Sequence, residues 1–144
     1  MKRTLSNDEA QANGINSNHE LMDNGEYRFR LTSTDGTAYI RTVSGKNGGW
    51  QKSHFHKRVR ETFIVEKGGC LYVEKKDGQL RRTYYSDGAI FTTCPPIPHN
   101  LYVFPDTVLH TVKHSATGMA DSDWHACPEL DAELLETESD PPNV

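Results

Sequence analysis

A run of closely spaced metal-ligand residues constrains the fold of this chain more than any other feature. His54 and His56 stand two residues apart, Glu61 follows five residues later, and Gly48 and Gly68 bracket the segment. Because alternate residues of a β-strand point to the same face, both histidines are expected to face inward. A four-residue turn is then expected to return the chain on a neighbouring strand that carries Glu61. The sequence therefore predicts a β-hairpin on which two imidazoles and one carboxylate converge, a ligand set suited to a divalent metal.

The rest of the body has the pattern of short antiparallel strands. Apolar and basic residues alternate after Glu26, with Tyr27, Phe29 and Leu31 set against Arg28 and Arg30, and this period of two is typical of a half-buried strand. Asp-Gly and Gly-Gly turn signals separate such runs at 35–36, 48–49, 77–78 and 87–88. Residues 100–104 and 108–114 are predicted to form another hairpin around residues 105–107. The pattern predicts an all-β antiparallel sandwich or barrel.

The two ends of the chain differ from this body. Ser6 and Glu9 have capping-box spacing, which predicts one or two helical turns within residues 6–14. Pro128 suits a first helical position, and Leu130 and Leu134 fall on one helical face, which predicts a short helix packed outside the sheet. We expect an N-terminal arm with a short helix (1–24), a β-barrel (25–118), and a C-terminal helix with an acidic tail (119–144).

Composition excludes several classes of protein. The 144 residues suit one domain, and no stretch has the roughly 20 apolar residues of a membrane span. A secretion signal would require an apolar run after the first basic residues, and the sequence has none there. The three cysteines include no closely spaced pair, which suits reduced thiols. We therefore expect a cytoplasmic protein. Residues 121–144 hold eight acidic and no basic residues; the remaining 16 basic and 12 acidic groups show no cluster suited to nucleic acid.

The glycine, histidine and glutamate spacing identifies a family resemblance. Gly48-x5-His54-x-His56-x4-Glu61-x6-Gly68 resembles the first cupin motif at every position. The resemblance covers about residues 25–118 and is to small single-domain, RmlC-like cupins. It implies an all-β fold, an antiparallel double-stranded β-helix (the cupin jelly-roll barrel), here with short N- and C-terminal helical segments. It also implies one divalent metal, held by these residues and a histidine from a second motif.

Two histidines compete for that fourth position. Counting from Gly88 selects His99, although Cys94, Pro96 and Val103 replace the motif's proline, second glycine and asparagine. Counting from a turn at residues 105–107 selects His110 instead. We favour His99, because a cupin barrel needs another strand after the ligand strand, and residues 108–114 supply it only if the ligand is His99.

Such a ligand set leaves positions for chemistry. Three histidines and one carboxylate suit iron, manganese, nickel, cobalt or zinc, with one or two positions open to water or substrate. His110, if it lines the pocket, is a candidate for proton transfer, although a hydrogen-bonded strand histidine is the more common case. Tyr102 is the aromatic residue expected to present a hydroxyl inward, and we take His110 and Tyr102 as the candidate catalytic residues.

Basic residues between the ligands bear on the substrate. Lys57, Arg58 and Arg60 lie in the turn between the ligand strands, where charged residues are common because turns are solvated. Alternatively, one of them points over the barrel mouth and holds a carboxylate or phosphate. This positive turn favours a polar, oxygen-rich substrate.

Two classes of function follow from the resemblance. The first is a metal-dependent enzyme that isomerises or epimerises a small sugar-like or keto-acid substrate, or an iron-dependent dioxygenase with a drier, more apolar lining. The second is a cupin that only binds or senses a small ligand. A membrane or nucleic-acid partner is not expected, and a homodimer is possible because β edges favour pairing.

Overall fold

The computed structural model describes residues 3–115 and 123–144. Within these ranges the chain forms two short helices, α1 (Asn7–Ala12) and α2 (Pro128–Thr137), and twelve strands. The strands are β1 (Ile15–Leu21), β2 (Tyr27–Ser33), β3 (Ala38–Val43), β4 (Gly49–Trp50), β5 (His54–Phe55), β6 (Arg60–Lys67), β7 (Gly69–Lys76), β8 (Gln79–Ser86), β9 (Ile90–Thr92), β10 (His99–Val103), β11 (Val108–His114) and β12 (His125–Ala126). None of the described helices is long and apolar enough to cross a membrane.

The strands form two antiparallel sheets. The first sheet has the order β1-β2-β3-β11-β6-β9, and the second has the order β12-β5-β10-β7-β8, with β4 beside β10. Strand β11 lies between β3 and β6, and β10 lies between β5 and β7, so strands distant in sequence are neighbours in both sheets. The predicted all-β jelly-roll barrel with short terminal helices is confirmed. The predicted barrel limit at residue 118 lies outside the described residues.

Two of the predicted hairpins are wrong. Strand β5 pairs with β10 and β12, whereas β6 pairs with β11 and β9, so His54 and Glu61 lie in opposite sheets. Strands β10 and β11 are divided between the sheets in the same way. Alternation shows which residues share a face, but it does not show which strand supplies the hydrogen bonds, and consecutive strands are neighbours in only about two-thirds of cases. True hairpins form at 34–37, between β2 and β3, and at 77–78, between β7 and β8.

Both terminal helices form where they are predicted. The Ser6 side chain accepts the Glu9 N–H, and Glu9 accepts the Ser6 N–H, which completes the capping box of α1. Pro128 begins α2, and Leu130 and Leu134 are its buried residues. Strand β1, in contrast, was not predicted: it pairs with β2 along its whole length, yet its residues are almost all exposed and show no apolar alternation.

The inward faces of the strands change from apolar to polar along the barrel. On β6 the inward residues run from Val65 through Phe63 to Glu61, and on β11 from Leu109 through Thr111 to Lys113. The apolar end closes around a buried cluster drawn from both sheets: Phe63, Val65, Cys70, Tyr72, Phe91, Leu101, Val103 and Leu109. The polar end stays open as a cavity. A second cluster, which includes Leu71, Val73 and Tyr102, lies between the second sheet and α2.

Candidate metal centre

Four predicted ligand residues converge at the polar end of the barrel. His54 and His99 stand directly opposite each other on adjacent strands of the second sheet, and His56 lies just after β5. Glu61 reaches the same point from β6 in the first sheet. One ligand atom from each residue lies within 4.8 Å of the others.

The carboxylate of Glu61 is the centre of this group. Its Oε1 atom lies 2.6 Å from Nε2 of His56 and 3.3 Å from Nε2 of both His54 and His99. The backbone N–H of Glu61 donates to the Thr93 hydroxyl at 3.0 Å, which fixes the start of β6. His99 therefore fills the fourth position, as the strand count predicted.

Each imidazole is oriented by its other ring nitrogen. Nδ1–H of His54 donates to the Lys52 carbonyl at 2.9 Å, and Nδ1–H of His99 donates to the Ile97 carbonyl at 3.0 Å. Nδ1–H of His56 donates to the Asp123 carbonyl. A carbonyl oxygen only accepts, so each Nδ1 carries a proton and Nε2 is the ring nitrogen that faces Glu61. This arrangement is the usual support of metal-binding histidines.

The protonation of the group fits a cation. Burial by itself would raise the pKa of Glu61, but the contacts with the three histidines and the charge of Lys113 hold it well below its usual 4.5. Burial lowers the pKa of His54 from 6.5, against the opposing effect of Glu61. Three Nε2 atoms and an ionised carboxylate thus converge on one point, where a bound cation would take the place of the hydrogen bonds. A divalent metal is the species that these four ligands fit.

Residues just before β12 hold the turn that carries His56. The Asp123 carboxylate accepts the backbone N–H groups of Lys57, Arg58 and Val59 at 2.9, 2.7 and 2.9 Å. Although burial opposes it, these bonds hold the pKa of Asp123 below its usual 3.8. The next residue, Trp124, stacks on the His54 ring with centroids 5.4 Å apart.

The ligands open onto a cavity of about 870 Å³ whose lining includes both basic and acidic residues. Arg28 and Arg30 on β2 and Lys113 on β11 line it, together with Trp124. Arg28 pairs with Glu26 at 2.6 Å, and Arg30 pairs with Glu20 at 2.9 Å. On β2 the inward face is thus the arginine face, while Tyr27 and Leu31 are exposed.

The two candidate catalytic residues lie elsewhere. His110 projects from the outer face of the first sheet, where its Nδ1 lies 2.6 Å from the Tyr39 hydroxyl and its Nε2 lies 3.2 Å from Glu66. Tyr102 packs beneath α2, and its hydroxyl donates to Asp140 at 3.2 Å. Among the residues that the structure describes, neither lines the cavity. Their predicted catalytic role therefore has no support in the geometry.

The basic turn contributes backbone donors to the contact with Asp123. Lys57 and Arg58 donate backbone N–H groups to Asp123, and neither they nor Arg60 belong to the described cavity lining. The basic residues of the cavity come from β2, from β11 and, with Lys52, from the segment before β5. For Arg28 and Arg30 the signal in the sequence was their alternation with apolar residues. Such alternation shows that the strand has two different faces, but it does not show which of them is inward.

Solved structures of oxalate decarboxylase and of CapF share this fold. A Bacillus subtilis oxalate decarboxylase structure determined at pH 4.6 matches with a TM-score of 0.62 and 14% identity, over 94% of this chain and 38% of that chain. Another, from a study of the Mn(II) centres of that enzyme, matches with a TM-score of 0.60 and 15% identity, over 83% of this chain and 35% of that one. CapF, the capsular polysaccharide assembling protein of Staphylococcus aureus, matches with a TM-score of 0.56 and 17% identity, over 77% of this chain and 32% of that chain. This chain thus spans less than half the length of each.

No family model and no curated protein matches the sequence. At identities of 14–17%, the structural similarities show the fold alone. The chain has the cupin fold. Within that fold it carries a buried group, His54, His56, Glu61 and His99, able to hold one metal ion.

Proposed function

We propose that this protein is a metal-dependent enzyme that isomerises or epimerises a small polar substrate, either sugar-like or a keto acid. The observation that carries the proposal is the position of the four ligands, buried on one side and open to a polar cavity on the other. A metal site of purely structural use is normally closed by its ligands, whereas a catalytic site keeps an open position.

The residues of the cavity support this class of substrate. His54, His56, Glu61 and His99 would hold the ion, which when bound would supply a Lewis acid that polarises a substrate carbonyl. Gln51 and the basic residues of β2 offer hydrogen-bond donors to substrate oxygens at the same cavity. A lining with this many charged groups favours a polar substrate. A dioxygenase is expected to have a more apolar lining. His110 faces away from the cavity, so proton transfer is left to groups inside it.

Metal analysis and an exchange assay test the proposal. We expect about one divalent ion per purified chain, and a loss of at least tenfold in metal affinity for Glu61→Gln, because the charged ligand is removed. Glu66→Gln is the matched control, since Glu66 lies on the same strand but faces outward and is 54% exposed.

The same samples separate the classes of function. Incubation in D₂O with candidate sugars and keto acids should exchange a carbon-bound proton in the wild type and not in Glu61→Gln. Oxygen consumption without proton exchange would favour the dioxygenase. Protein that is metal-free, or that holds metal and binds ligands without turnover, would contradict the enzyme and leave a binding module.

A further inference from the structure

Lys113 occupies a position next to the candidate metal centre. It stands directly opposite Glu61 across the β6–β11 ladder, and its side chain lines the cavity. Side chains in such cross-strand pairs begin about 5 Å apart, so both groups reach the same region. Within the part of the chain that the structure describes, the side chain of Lys113 has no hydrogen bond and no ion pair of contact length.

Unlike the two arginines, Lys113 has no glutamate partner at ion-pair distance among the described residues. Arg28 and Arg30 each have their own glutamate partner at 2.6 and 2.9 Å. Glu61 is the one acidic ligand, and a divalent ion there would exceed its charge. Burial lowers the pKa of Lys113, against the attraction of Glu61, and the two arginines lower it further. With Lys52 and Asp23 included, the described lining holds four basic and three acidic residues, and an ion bound to Glu61 would add positive charge that an anionic ligand offsets.

We propose that the cavity binds a ligand that carries an oxyanion, a carboxylate or a phosphate, held by Lys113 a few bonds from the carbonyl presented to the metal. Arg28 and Arg30 on β2 line the same cavity. This inference rests on the proposed function, and it narrows its substrates to 2-oxo acids or phosphorylated hydroxyketones.

Paired probes test the charge requirement. Calorimetric titration of the purified protein, with its metal content measured, compares pyruvate with pyruvamide and dihydroxyacetone phosphate with dihydroxyacetone. We expect at least one anion to bind tenfold or more tightly than its neutral analogue, since one charge-assisted contact contributes roughly that factor. The pair that shows the difference identifies the carboxylate or the phosphate as the group bound.

Variants assign the effect to Lys113. Lys113→Met keeps most of the side-chain volume and should lose the preference for the anion, whereas Lys113→Arg should retain affinity within about threefold. Lys76→Met is the matched control, because Lys76 is an exposed strand lysine at the far end of β7. Circular dichroism checks that each variant folds.

The outcomes separate this inference from the proposed function. If neither anion binds better than its neutral analogue, or if Lys113→Met keeps the preference, the anion subsite is wrong even when the wild type turns over a substrate. If the preference depends on Lys113 and persists in protein stripped of metal, the subsite stands even when no turnover is found.

Discussion

Replacement of Asp123 by asparagine tests whether a residue distant in sequence holds the metal-ligand turn. The Asp123 carboxylate is 6% exposed, and it accepts three backbone N–H groups at 2.9, 2.7 and 2.9 Å and contacts Nε2 of His125 at 3.0 Å. An amide keeps one oxygen, so at least one N–H loses its acceptor and the remaining bonds lose their charge. Each hydrogen bond to a charged group contributes roughly 1.5–3 kcal/mol, so we expect Asp123→Asn to destabilise the protein by about 2–4 kcal/mol.

Thermal unfolding and metal titration measure the two consequences. For a chain of this length the loss corresponds to a decrease in Tm of roughly 5–15 °C. Because the Asp123 carbonyl also orients His56, displacement of this segment should weaken metal binding by about tenfold to a hundredfold. Asp87→Asn is the control, since Asp87 is exposed in a turn, and its effect should stay within about 0.5 kcal/mol.

The dependence on pH adds a check of sign. The folded-state pKa of Asp123 lies below the ordinary 3.8, so the ionised carboxylate stabilises the fold above that value and the effect is lost as the pH falls through the folded pKa. The difference between wild type and Asp123→Asn should therefore be constant near neutral pH and shrink below about pH 4. If wild type and Asp123→Asn have the same Tm at pH 7 and the same metal affinity, the carboxylate does not hold the turn.

Three further predictions address the site and the fold. His99→Ala should lose bound metal, whereas His110→Ala should keep it, because only His99 reaches Glu61; plasma mass spectrometry of both variants decides this, and the reverse result would contradict the ligand assignment. Since burial lowers the pKa of His54 from 6.5, its neutral, metal-binding form persists below that pH, so metal measured by equilibrium dialysis should be retained at pH 6.5 and released as the pH falls further. Gly68→Ala should destabilise the protein more than Gly78→Ala in thermal unfolding: both have positive φ (84° and 75°), but an added Cβ would lie 2.3 Å from a Thr107 atom at Gly68 and meet nothing within 4 Å at Gly78. Equal effects would mean that the contact with Thr107 relaxes.

The ligand residues could be predicted from the sequence because their spacing is local. The eight residues from His54 to Glu61 contain three ligands, and the strand that follows His99 decided the fourth. The pairing of the ligand strands could not be predicted in the same way. The consecutive strands β5 and β6, like β10 and β11, belong to opposite sheets, and hydrophobic alternation is the same for either partner.

The missed residues depend on contacts that are distant in sequence. Asp123 lies 66 residues from Lys57, to which it bonds, and no local pattern connects the two. Lys113 was visible only as part of a strand, and its place beside Glu61 depends on the β6–β11 register. Charged residues on one face of a strand normally indicate solvent, so an inward basic face is found only when the barrel is assembled around a polar cavity.

The division of the ligands between the two sheets has a mechanical consequence. His54 and His99 come from the second sheet and Glu61 from the first, so an ion bound to all of them would act as a staple across one end of the barrel. The other end is closed by apolar packing around Val65 and Leu109, which does not depend on metal. Chelation should therefore loosen the barrel from one end only, with faster amide hydrogen exchange near the ligands and continued protection at the apolar end.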